Sequence, residues 1–571
     1  MSATEPHIGD HARQAPDRPA VVMSDGSPGL TYAELDRRSN ALAGQLAAAG
    51  VRAGDVVAIL APNSPDFLVA AWAAQRSGLY YVPVNWHLTP EEAGYIITDS
   101  GAGMVLTTPD LARITPSELQ VEIWLSGADG DSGFAPAGRS APGPVAYEPL
   151  DGSSMLYSSG TSGRPKGVKR PLSQQPFGAL NTGDHMLRGL YGWSPATVLL
   201  CTAPLYHAAP MNFCMSVHRL GGVVVLMPSF DAAEALEAVS RHAVTSVWLV
   251  PTMMIQMLNL PYALRAGARL ESLTHAIHSG APCPVPVKKA MIDWWGPRVF
   301  EFYSATEGVG FTAISPQEWL ARPGSVGRSD EIRIVGEDGE VVAPGTVGTV
   351  YFASVWTPFD YHNDADKTVQ TRDPRGWITL GDMGRVDAEG WLYLTDRKSH
   401  MIISGGVNIY PQEAENLLAS HPAVADVAVI GVPDPEYGEQ VKAVIVLRAG
   451  HSGDAAMQAV LIAACRQGLA RYKCPRTVDF VDALPRLPSG KMLKRELRAR
   501  YWPADRLRGG DVVLPGTIRP MRDRRSAIFR AFTIPPVTEA GLTRSSRHSR
   551  RTGCLRREAA AMSDRPPSLS S

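Results

Sequence analysis

The residues best suited to chemistry lie together at positions 157–168, in the stretch Tyr-Ser-Ser-Gly-Thr-Ser-Gly-Arg-Pro-Lys-Gly-Val. Twelve residues there contain four small hydroxyl side chains, three glycines and two cationic side chains. Glycines let backbone N–H groups converge on one point, hydroxyls add donors and cations neutralise charge, so the composition suits a polyphosphate. The order of the residues is not that of a Walker loop. A flexible Gly/Ser linker is the alternative interpretation of this stretch taken alone.

This stretch resembles the phosphate loop of the adenylate-forming superfamily, which includes acyl-CoA synthetases, luciferases and the adenylation domains of peptide synthetases. The superfamily pattern is Ser/Thr-Ser-Gly-Thr-Thr-Gly-x-Pro-Lys-Gly, and Ser162 replaces one threonine while keeping its hydroxyl. The resemblance covers roughly residues 10–500. Later superfamily motifs are resembled, in the same order, by Ala203-Pro204-Leu205-Tyr206-His207, Ser279-Gly280-Ala281-Pro282, Tyr303-Ser304-Ala305-Thr306-Glu307-Gly308, Leu380-Gly381-Asp382, Asp396-Arg397-Lys398-Ser399 and Pro488-Ser489-Gly490-Lys491.

The resemblance implies that ATP binds along these motifs. Tyr303 would pack on adenine, Asp382 would accept hydrogen bonds from the two ribose hydroxyls, and Arg397 would contact the ribose or a phosphate. A buried core tyrosine is the alternative for Tyr303, and a surface salt bridge is the alternative for Arg397. The residues implied in phosphate binding are Ser158, Ser159, Gly160, Thr161, Ser162, Gly163 and Lys166, and those implied beside adenine are Ser279, Gly280, Ala281 and Pro282.

The resemblance also implies catalytic and metal-binding residues. Lys491, His207 and Thr306 are the catalytic candidates. Glu307 and Thr161 would bind Mg²⁺, a hard cation that prefers oxygen ligands. The alternatives are a surface carboxylate for Glu307, a hydrogen-bonded structural histidine for His207, and one cation of a generally basic surface for Lys491.

Adenylation of a carboxylate requires two repelling anions to meet, because the nucleophile must approach the α-phosphate of ATP. Attack expels pyrophosphate and leaves an acyl-AMP, from which a thiol displaces AMP to give a thioester. Lys491 would bring its ammonium between the anions, and such a pair at about 4 Å is worth ~4 kcal/mol in partly solvated surroundings. The small domain would then swing about Ser399, so that Gly405 and Gly406 line the pantetheine tunnel of coenzyme A.

Two positions depart from the superfamily pattern. Ser304 replaces the usual glycine, and its Cβ is expected to change the shape of the pocket near adenine or the acyl carboxylate without removing nucleotide binding. Ser399 lies at the hinge, where many relatives have Asp or Lys.

The acid pocket is predicted to draw largely on residues 202–258, a segment poor in charge and rich in methionine. Methionine adapts to irregular apolar ligands, although a methionine-rich helix is also ordinary core. Amino-acid-activating relatives usually carry an aspartate shortly after His207, whereas this chain continues Ala208-Ala209-Pro210. We therefore expect an apolar acid, with a fatty acid as the main prediction. An aryl or polycyclic acid, or transfer to a carrier protein instead of coenzyme A, is the alternative.

The composition is that of a globular protein, with 44% hydrophobic and 19% charged residues. The 571 residues carry a formal net charge of −1, which gives no overall attraction to nucleic acid, while peripheral membrane contact stays open. Six cysteines without a C-x-x-C pair favour a reducing cytoplasm, and the first residues show no signal-peptide pattern. The alternative outside the enzymes is a regulatory protein that binds a nucleotide or an acyl group and has lost catalysis.

Helix and strand patterns alternate through most of the chain, which predicts an α/β fold with layered, largely parallel sheets and a small mobile α+β C-terminal domain. The expected parts are an adenylation domain at 1–395, a hinge at 396–399 and a lid with the catalytic lysine at 400–501. Residues 502–571 are rich in arginine and are predicted to form a disordered tail, with a basic arm for nucleic acid as the alternative.

Overall fold

The computed structural model describes residues 7–128, 130–158, 165–353, 358–397, 400–405, 407–486 and 492–502, without the side chains of Asp396 and Arg397. Within these ranges, no helix combines the length and the apolar character that crossing a bilayer requires. The predicted tail at 502–571 lies outside them except for its first residue.

Two large sheets form the body of the molecule. In the six-stranded sheet all neighbours are parallel except the edge strand β7. Its strands, in spatial order, are β7 (Phe134–Pro136), β6 (Glu122–Ser126), β5 (Met104–Thr107), β3 (Val56–Leu60), β4 (Tyr80–Pro83) and β8 (Ser153–Ser154).

The eight-stranded sheet has six inner strands in parallel and an antiparallel strand at each edge. Parallel strands end at one common edge, which is where open α/β sheets bind ligands. Its strands, in spatial order, are β16 (Thr312–Ile314), β15 (Val299–Tyr303), β14 (His275–His278), β13 (Ser246–Leu249), β11 (Val198–Cys201), β12 (Val223–Leu226), β1 (Pro19–Met23) and β2 (Leu30–Thr31).

Helices cover both large sheets. Local sequence sets their ends: Thr31 and Glu34 form the expected capping box, with Thr31 Oγ1 accepting from the Glu34 N–H at 3.2 Å. The described helices of the body are α1 (Ile8–Gln14), α2 (Tyr32–Ala48), α3 (Pro65–Gln75), α4 (Pro90–Ser100), α5 (Thr182–Tyr191), α6 (Ala208–Arg219), α7 (Ala232–Arg241), α8 (Pro251–Leu258), α9 (Tyr262–Ala266), α10 (Val285–Trp295), α11 (Pro316–Ala321) and α12 (Ala365–Gln370).

Two smaller antiparallel sheets complete the body. They pack around one apolar cluster that includes Val168 and Tyr361. The three-stranded sheet comprises β19 (Asp360–Tyr361), β10 (Lys166–Lys169) and β9 (Leu156–Ser158), and the four-stranded sheet comprises β17 (Ile332–Val335), β18 (Gly348–Phe352), β20 (Asp382–Val386) and β21 (Leu392–Arg397).

The C-terminal part forms a separate five-stranded sheet with its own apolar clusters. Its long central hairpin places Val429 opposite Ala443. The strands are β23 (Val407–Ile409), β22 (Ile402–Ser404), β25 (Gly438–Leu447), β24 (Val424–Asp434) and β26 (Thr477–Phe480), and the helices are α13 (Pro411–Ala419), α14 (Ala455–Gly468) and α15 (Lys494–Ala499).

The predicted fold class is confirmed: layered α/β sheets form a large N-terminal domain, and a smaller α+β domain follows. The segment 127–144 is rich in Gly, Ala, Ser and Pro, a composition that predicts an exposed connection. That expectation is wrong for Phe134–Pro136, which forms β7 because Phe134 is buried against the edge of the six-stranded sheet. The exact domain boundaries stay predictions.

Candidate active site

The hairpin of β9 and β10 holds both ends of the predicted phosphate loop. Ser158 at the end of β9 pairs with Lys166 at the start of β10 in antiparallel register. Five predicted phosphate-binding residues lie between them and outside the described residues: Ser159, Gly160, Thr161, Ser162 and Gly163. The two described ends fix where this segment leaves the sheet and where it returns.

Lys166 forms an ion pair with Asp364, a residue that the sequence analysis did not identify. Asp364 also caps α12, where its Oδ1 accepts from the Lys367 N–H at 2.9 Å. The hydrogen bond from Lys166 lowers the pKa of the Asp364 carboxyl, so the carboxylate is charged at neutral pH. The Lys166 and Asp364 side chains are 18% and 32% exposed, which leaves the ammonium accessible to an anionic ligand.

The predicted metal ligand Glu307 is buried and oriented by a tyrosine from the neighbouring small sheet. The Tyr361 hydroxyl donates to Glu307 Oε1 at 2.8 Å, and the Lys166 ammonium lies 5.9 Å from the centre of the Tyr361 ring. This hydrogen bond fixes the orientation of the Glu307 carboxylate. A buried, oriented carboxylate fits Mg²⁺, whose remaining ligands are usually phosphate oxygens and water.

Arg170 adds a positive charge to the same region. Its Nη2 donates to the Thr306 carbonyl at 2.7 Å, which fixes the backbone of the predicted catalytic threonine. Burial lowers the pKa of the Arg170 guanidinium, and the nearby Glu307 carboxylate opposes that shift. An arginine remains charged through such a shift, so Glu307 faces a permanent cation.

The two residues predicted to hold the nucleoside lie side by side. The Tyr303 hydroxyl donates to Asp382 Oδ2 at 2.6 Å, although the two residues are 79 positions apart in the chain. Tyr303 ends β15 in the eight-stranded sheet, and Asp382 begins β20 in the four-stranded sheet. The edge where these two sheets meet therefore brings the predicted adenine and ribose contacts together.

The predicted adenine-side loop leaves the same edge of the eight-stranded sheet. Ser279 follows β14 and is buried, and its N–H donates to the Leu249 carbonyl at 3.3 Å. Gly280 has φ +84°, a left-handed conformation that favours glycine and turns the chain out of the sheet. Ala281 is half-buried and Pro282 is exposed. The loop thus begins inside the sheet and ends at the surface.

The serine that departs from the superfamily pattern has a structural contact. Ser304 Oγ donates to the Gly310 carbonyl at 2.9 Å and ties down the loop that carries Thr306 and Glu307. This hydrogen bond gives the residue a role in holding the loop, in addition to the expected narrowing of the pocket.

His207 is the N-cap residue of α6, with its ring 4.6 Å from that of Tyr206. Tyr206 in turn approaches His87 at 6.5 Å between ring centres. The catalytic candidate therefore lies among rings at the start of the helix predicted to line the acid pocket.

A row of four aromatic rings runs inward from the strand that carries Tyr303. Phe311 and Phe302 stack at 5.7 Å with an interplanar angle of 15°, and Phe302 lies 5.8 Å from Phe213 on α6. Phe213 then meets Trp193 edge-on at 5.2 Å. The first two rings are half-buried and the last two are buried, so the row forms an aromatic wall that leads from the site into the core.

The residues predicted around the hinge are described only in part. In the backbone, Arg397 pairs with Asp382 across β20 and β21. The Arg397 side chain, the hinge residue Ser399 and Gly406 lie outside the described residues. Gly405 has φ +59°, and a Cβ there would lie 3.0 Å from the Tyr437 ring, so a side chain at this position would be strained.

Lys491 lies outside the described residues, but both sides of its segment are anchored. On one side, the backbone of Arg486 forms an antiparallel β-bridge with Met492. The Arg486 guanidinium makes two hydrogen bonds to the Asp426 carboxylate, at 2.7 and 2.9 Å. On the other side, Lys494 pairs with the buried Glu415 at 2.8 Å.

Three residues of this site escaped sequence reasoning: Asp364, Tyr361 and Arg170. Each is ordinary by type, and each joins the site through a contact that spans many residues, 198 of them between Lys166 and Asp364. A usable signal was present only in Pro358-Phe359-Asp360-Tyr361, where alternating aromatic and polar residues indicate a short strand.

Sequence comparison identifies the family. The AMP-binding enzyme family matches residues 8–358, and the AMP-binding enzyme C-terminal domain matches residues 413–491. The chain belongs to the AMP-binding enzyme family. It is an AMP-forming acid–CoA ligase that uses ATP and CoA and acts through an acyl-adenylate, and Mg²⁺ is the cation that accompanies ATP in the family.

Individual relatives cover nearly the whole described chain. A feruloyl-CoA synthase of Amycolatopsis sp is 35% identical over 86% of this chain and 97% of its own length. The fatty acid–[acyl-carrier-protein] ligase ScoC of Streptomyces coeruleorubidus is 31% identical over 86% of this chain and 95% of its own. The structure of o-succinylbenzoate CoA synthetase from Bacillus subtilis with its acyl-adenylate intermediate matches with a TM-score of 0.72 and 31% identity, over 87% and 98% of the two chains.

Proposed function

We propose that the protein joins an apolar carboxylic acid to coenzyme A, using ATP to form an acyl-AMP and releasing pyrophosphate and then AMP. One observation carries this proposal: residues from separate motifs meet where the three-, four- and eight-stranded sheets adjoin. Tyr361 contacts both Lys166 and Glu307, and Tyr303 bonds Asp382. The grouping offers hydrogen-bond acceptors for a ribose and cations for a polyphosphate.

The residues divide the work by charge. Lys166 exchanges its Asp364 partner for phosphate oxygens, and Arg170 keeps a positive charge behind Glu307. Mg²⁺, when bound at Glu307, supplies further neutralisation of the phosphates. Asp382 receives the ribose hydroxyls while Tyr303 fixes the orientation of its carboxylate. Lys491 supplies an ammonium between the carboxylate of the acid and the α-phosphate, which offsets their repulsion, as the resemblance implies.

The aromatic wall favours an aryl acid over a saturated chain. Flat rings such as those of Phe302 and Phe311 stack well on a planar aromatic ligand, and such contacts are worth ~0.5–1.5 kcal/mol beyond buried area. The similarity to a feruloyl-CoA synthase supports the same choice. A fatty acid, the class predicted from the sequence, is the second candidate, and it is supported by the similarity to ScoC.

Acid-dependent pyrophosphate release over a matched panel tests this proposal. We expect ferulate and 3-phenylpropanoate to exceed decanoate in kcat/KM by about tenfold. Phenylalanine, which adds an ammonium group to 3-phenylpropanoate, serves as the matched control and should be a poor substrate. Preference for decanoate would replace the aryl assignment with the fatty-acid one, and pyrophosphate release independent of any acid would reject the activity.

The acceptor thiol is tested separately. We expect thioester formation with CoA to exceed that with a phosphopantetheinylated carrier protein. Thioester on the carrier alone would overturn this expectation. The cytoplasmic location and the domain boundaries at 395 and 400 stay predictions.

A further inference from the structure

The core beneath the adenine-side loop contains a charged cluster to which the proposed reaction gives no role. Lys288 on α10 is fully buried, with its ammonium 2.6 Å from Glu301 Oε2. His278 is also fully buried, and its Nε2 lies 3.5 Å from the same oxygen. The Lys288 ammonium also lies 5.0 Å from the centre of the Trp319 ring.

These residues join the two strands that lead to the predicted adenine contacts and the helix that follows the adenine-side loop. His278 ends β14 and pairs in register with Glu301 on the parallel strand β15. Two residues further along the two strands come Gly280, in the adenine-side loop, and Tyr303. Lys288 lies in the second turn of α10, the helix that follows this loop. The cluster therefore connects the two walls of the predicted adenine cleft, the adenine-side loop and Tyr303, one residue layer below the cleft.

Folding stability alone does not require such a cluster. Burying two charges carries a desolvation cost that often cancels their attraction, and apolar side chains of similar volume are commonly as stable. A charged pair has a feature that apolar packing lacks, because its hydrogen bond fixes one distance and one direction. His278 adds no charge, since burial and the Lys288 ammonium hold its pKa well below the ordinary value.

We propose that Lys288, Glu301 and His278 are positioning residues for the nucleotide base, holding the Ser279–Pro282 loop and Tyr303 at the separation that adenine requires. The inference rests on the proposed function, because it assigns the base to this cleft. The three residues touch no substrate and act only through the loop and the strand.

The test removes both charges together, so that neither is left buried alone. In K288M/E301Q we expect a thermal midpoint close to that of the wild type, a KM for ATP raised about tenfold, and kcat and the KM for the acid nearly unchanged. The preference for ATP over GTP in kcat/KM should fall about tenfold, because a displaced loop no longer fits the base. A merely structural cluster would not change that ratio.

A control and a second variant keep the outcome decisive. K289M/D293N removes an exposed pair on the same helix and should match the wild type in all measurements. An unchanged ATP preference in folded K288M/E301Q would overturn the proposal. If that variant does not fold, His278→Asn leaves the ion pair in place and should lower the ratio about threefold; an unchanged ratio would likewise overturn it.

Failure of the proposed function would be recognised separately. A wild-type protein without acid-dependent pyrophosphate exchange would refute the ligase activity. Calorimetry of AMP and GMP binding to the wild type and K288M/E301Q would then still measure the effect of the cluster on base preference.

Discussion

The predicted nucleotide end and the proposed acid end of the site are built on different principles. At the nucleotide end, charged side chains are held by directional bonds from distant strands, as in Lys166–Asp364 and Tyr361–Glu307. At the acid end, uncharged rings stack in a row from Phe311 to the core. Directional bonds suit one invariant ligand, whereas a stacked wall can be reshaped one ring at a time. Under the proposed function, the acid preference can therefore change without a change in the nucleotide contacts.

The largest expected effect tests the cation that joins the two ends. Lys491→Ala should slow acyl-AMP formation by about a thousandfold, because ~4 kcal/mol of charge stabilisation is lost. Thioester formation from supplied acyl-AMP should be nearly unchanged, and pyrophosphate exchange with single-turnover thioester assays measures the two halves. Arg495→Ala, at a neighbouring exposed cation, is the control. Equal loss in both variants would show that only general basicity matters.

The folding stability of the scaffold that carries both ends should depend on pH, and His218 provides the means to test this. Trp72 Nε1 donates to His218 Nδ1 at 3.1 Å and Nε2 lies 3.0 Å from the Ala20 carbonyl, so the ring is the neutral Nε2–H tautomer. Burial lowers the pKa of His218 from 6.5 to about 4. Between pH 6.5 and about pH 4 the unfolded chain therefore binds a proton that the folded protein does not.

His218 should therefore lower the free energy of unfolding by about 3 kcal/mol as the pH falls from 6.5, its pKa in the unfolded chain, to about 4, its pKa in the folded protein. Urea unfolding of wild type and His218→Asn between those pH values measures the contribution, and the variant should show the shallower decrease. His185→Gln, at an exposed histidine of α5, should follow the wild type. Parallel profiles for wild type and His218→Asn would contradict the assignment.

A change at the nucleotide end should leave acid recognition intact. Glu307→Gln keeps an acceptor for Tyr361 but removes the charge, and we expect kcat/KM for ATP to fall about thirtyfold with a higher Mg²⁺ requirement. Titration of pyrophosphate release with Mg²⁺ at fixed ATP measures the shift. Tyr361→Phe, which loses the orienting hydrogen bond but keeps the charge of Glu307, should have a smaller effect. An unaltered Mg²⁺ dependence in Glu307→Gln would remove Glu307 from the metal site.

The smallest expected effect lies at the acid end. Phe302→Leu should raise the KM for an aryl acid about fivefold, because one stacking contact worth ~1 kcal/mol is lost, and the KM for ATP should stay constant. Phe300→Leu is the matched control, since its ring contacts Tyr191 and His275 instead of the row. A change in the KM for ATP in Phe302→Leu would break the separation of the two ends.

The sequence predicted the local elements of the site but not the contacts between them. Thr31 followed by Glu34 three residues later indicates a helix N-terminus, and the apolar run Val56–Leu60 indicates a buried strand. The apolar runs 427–431 and 441–447 indicate paired strands, and the structure agrees with all three patterns. The two ends of the phosphate loop, Ser158 and Lys166, were likewise set by a local motif.

Pairing between strands that are distant in the chain could not be predicted from the sequence, because the register between such strands depends on the whole packed core. The partner of β10 at Tyr361 and the partner of Lys166 at Asp364 are of this kind. The buried position of Lys288 was equally hidden, since lysine on a helix is normally at the surface and its partner Glu301 lies on another element.

The antiparallel pairing of Asp382 with Arg397 has a mechanical consequence. It puts the predicted ribose contact directly beside the end of the strand that leads into the predicted hinge, so the axis of lid rotation would pass close to the predicted nucleotide site. In a rotation, residues close to the hinge move short distances, whereas residues far from it in the C-terminal domain move much further. With the predicted hinge at this place, rotation of the C-terminal domain would therefore disturb the predicted ribose contact little.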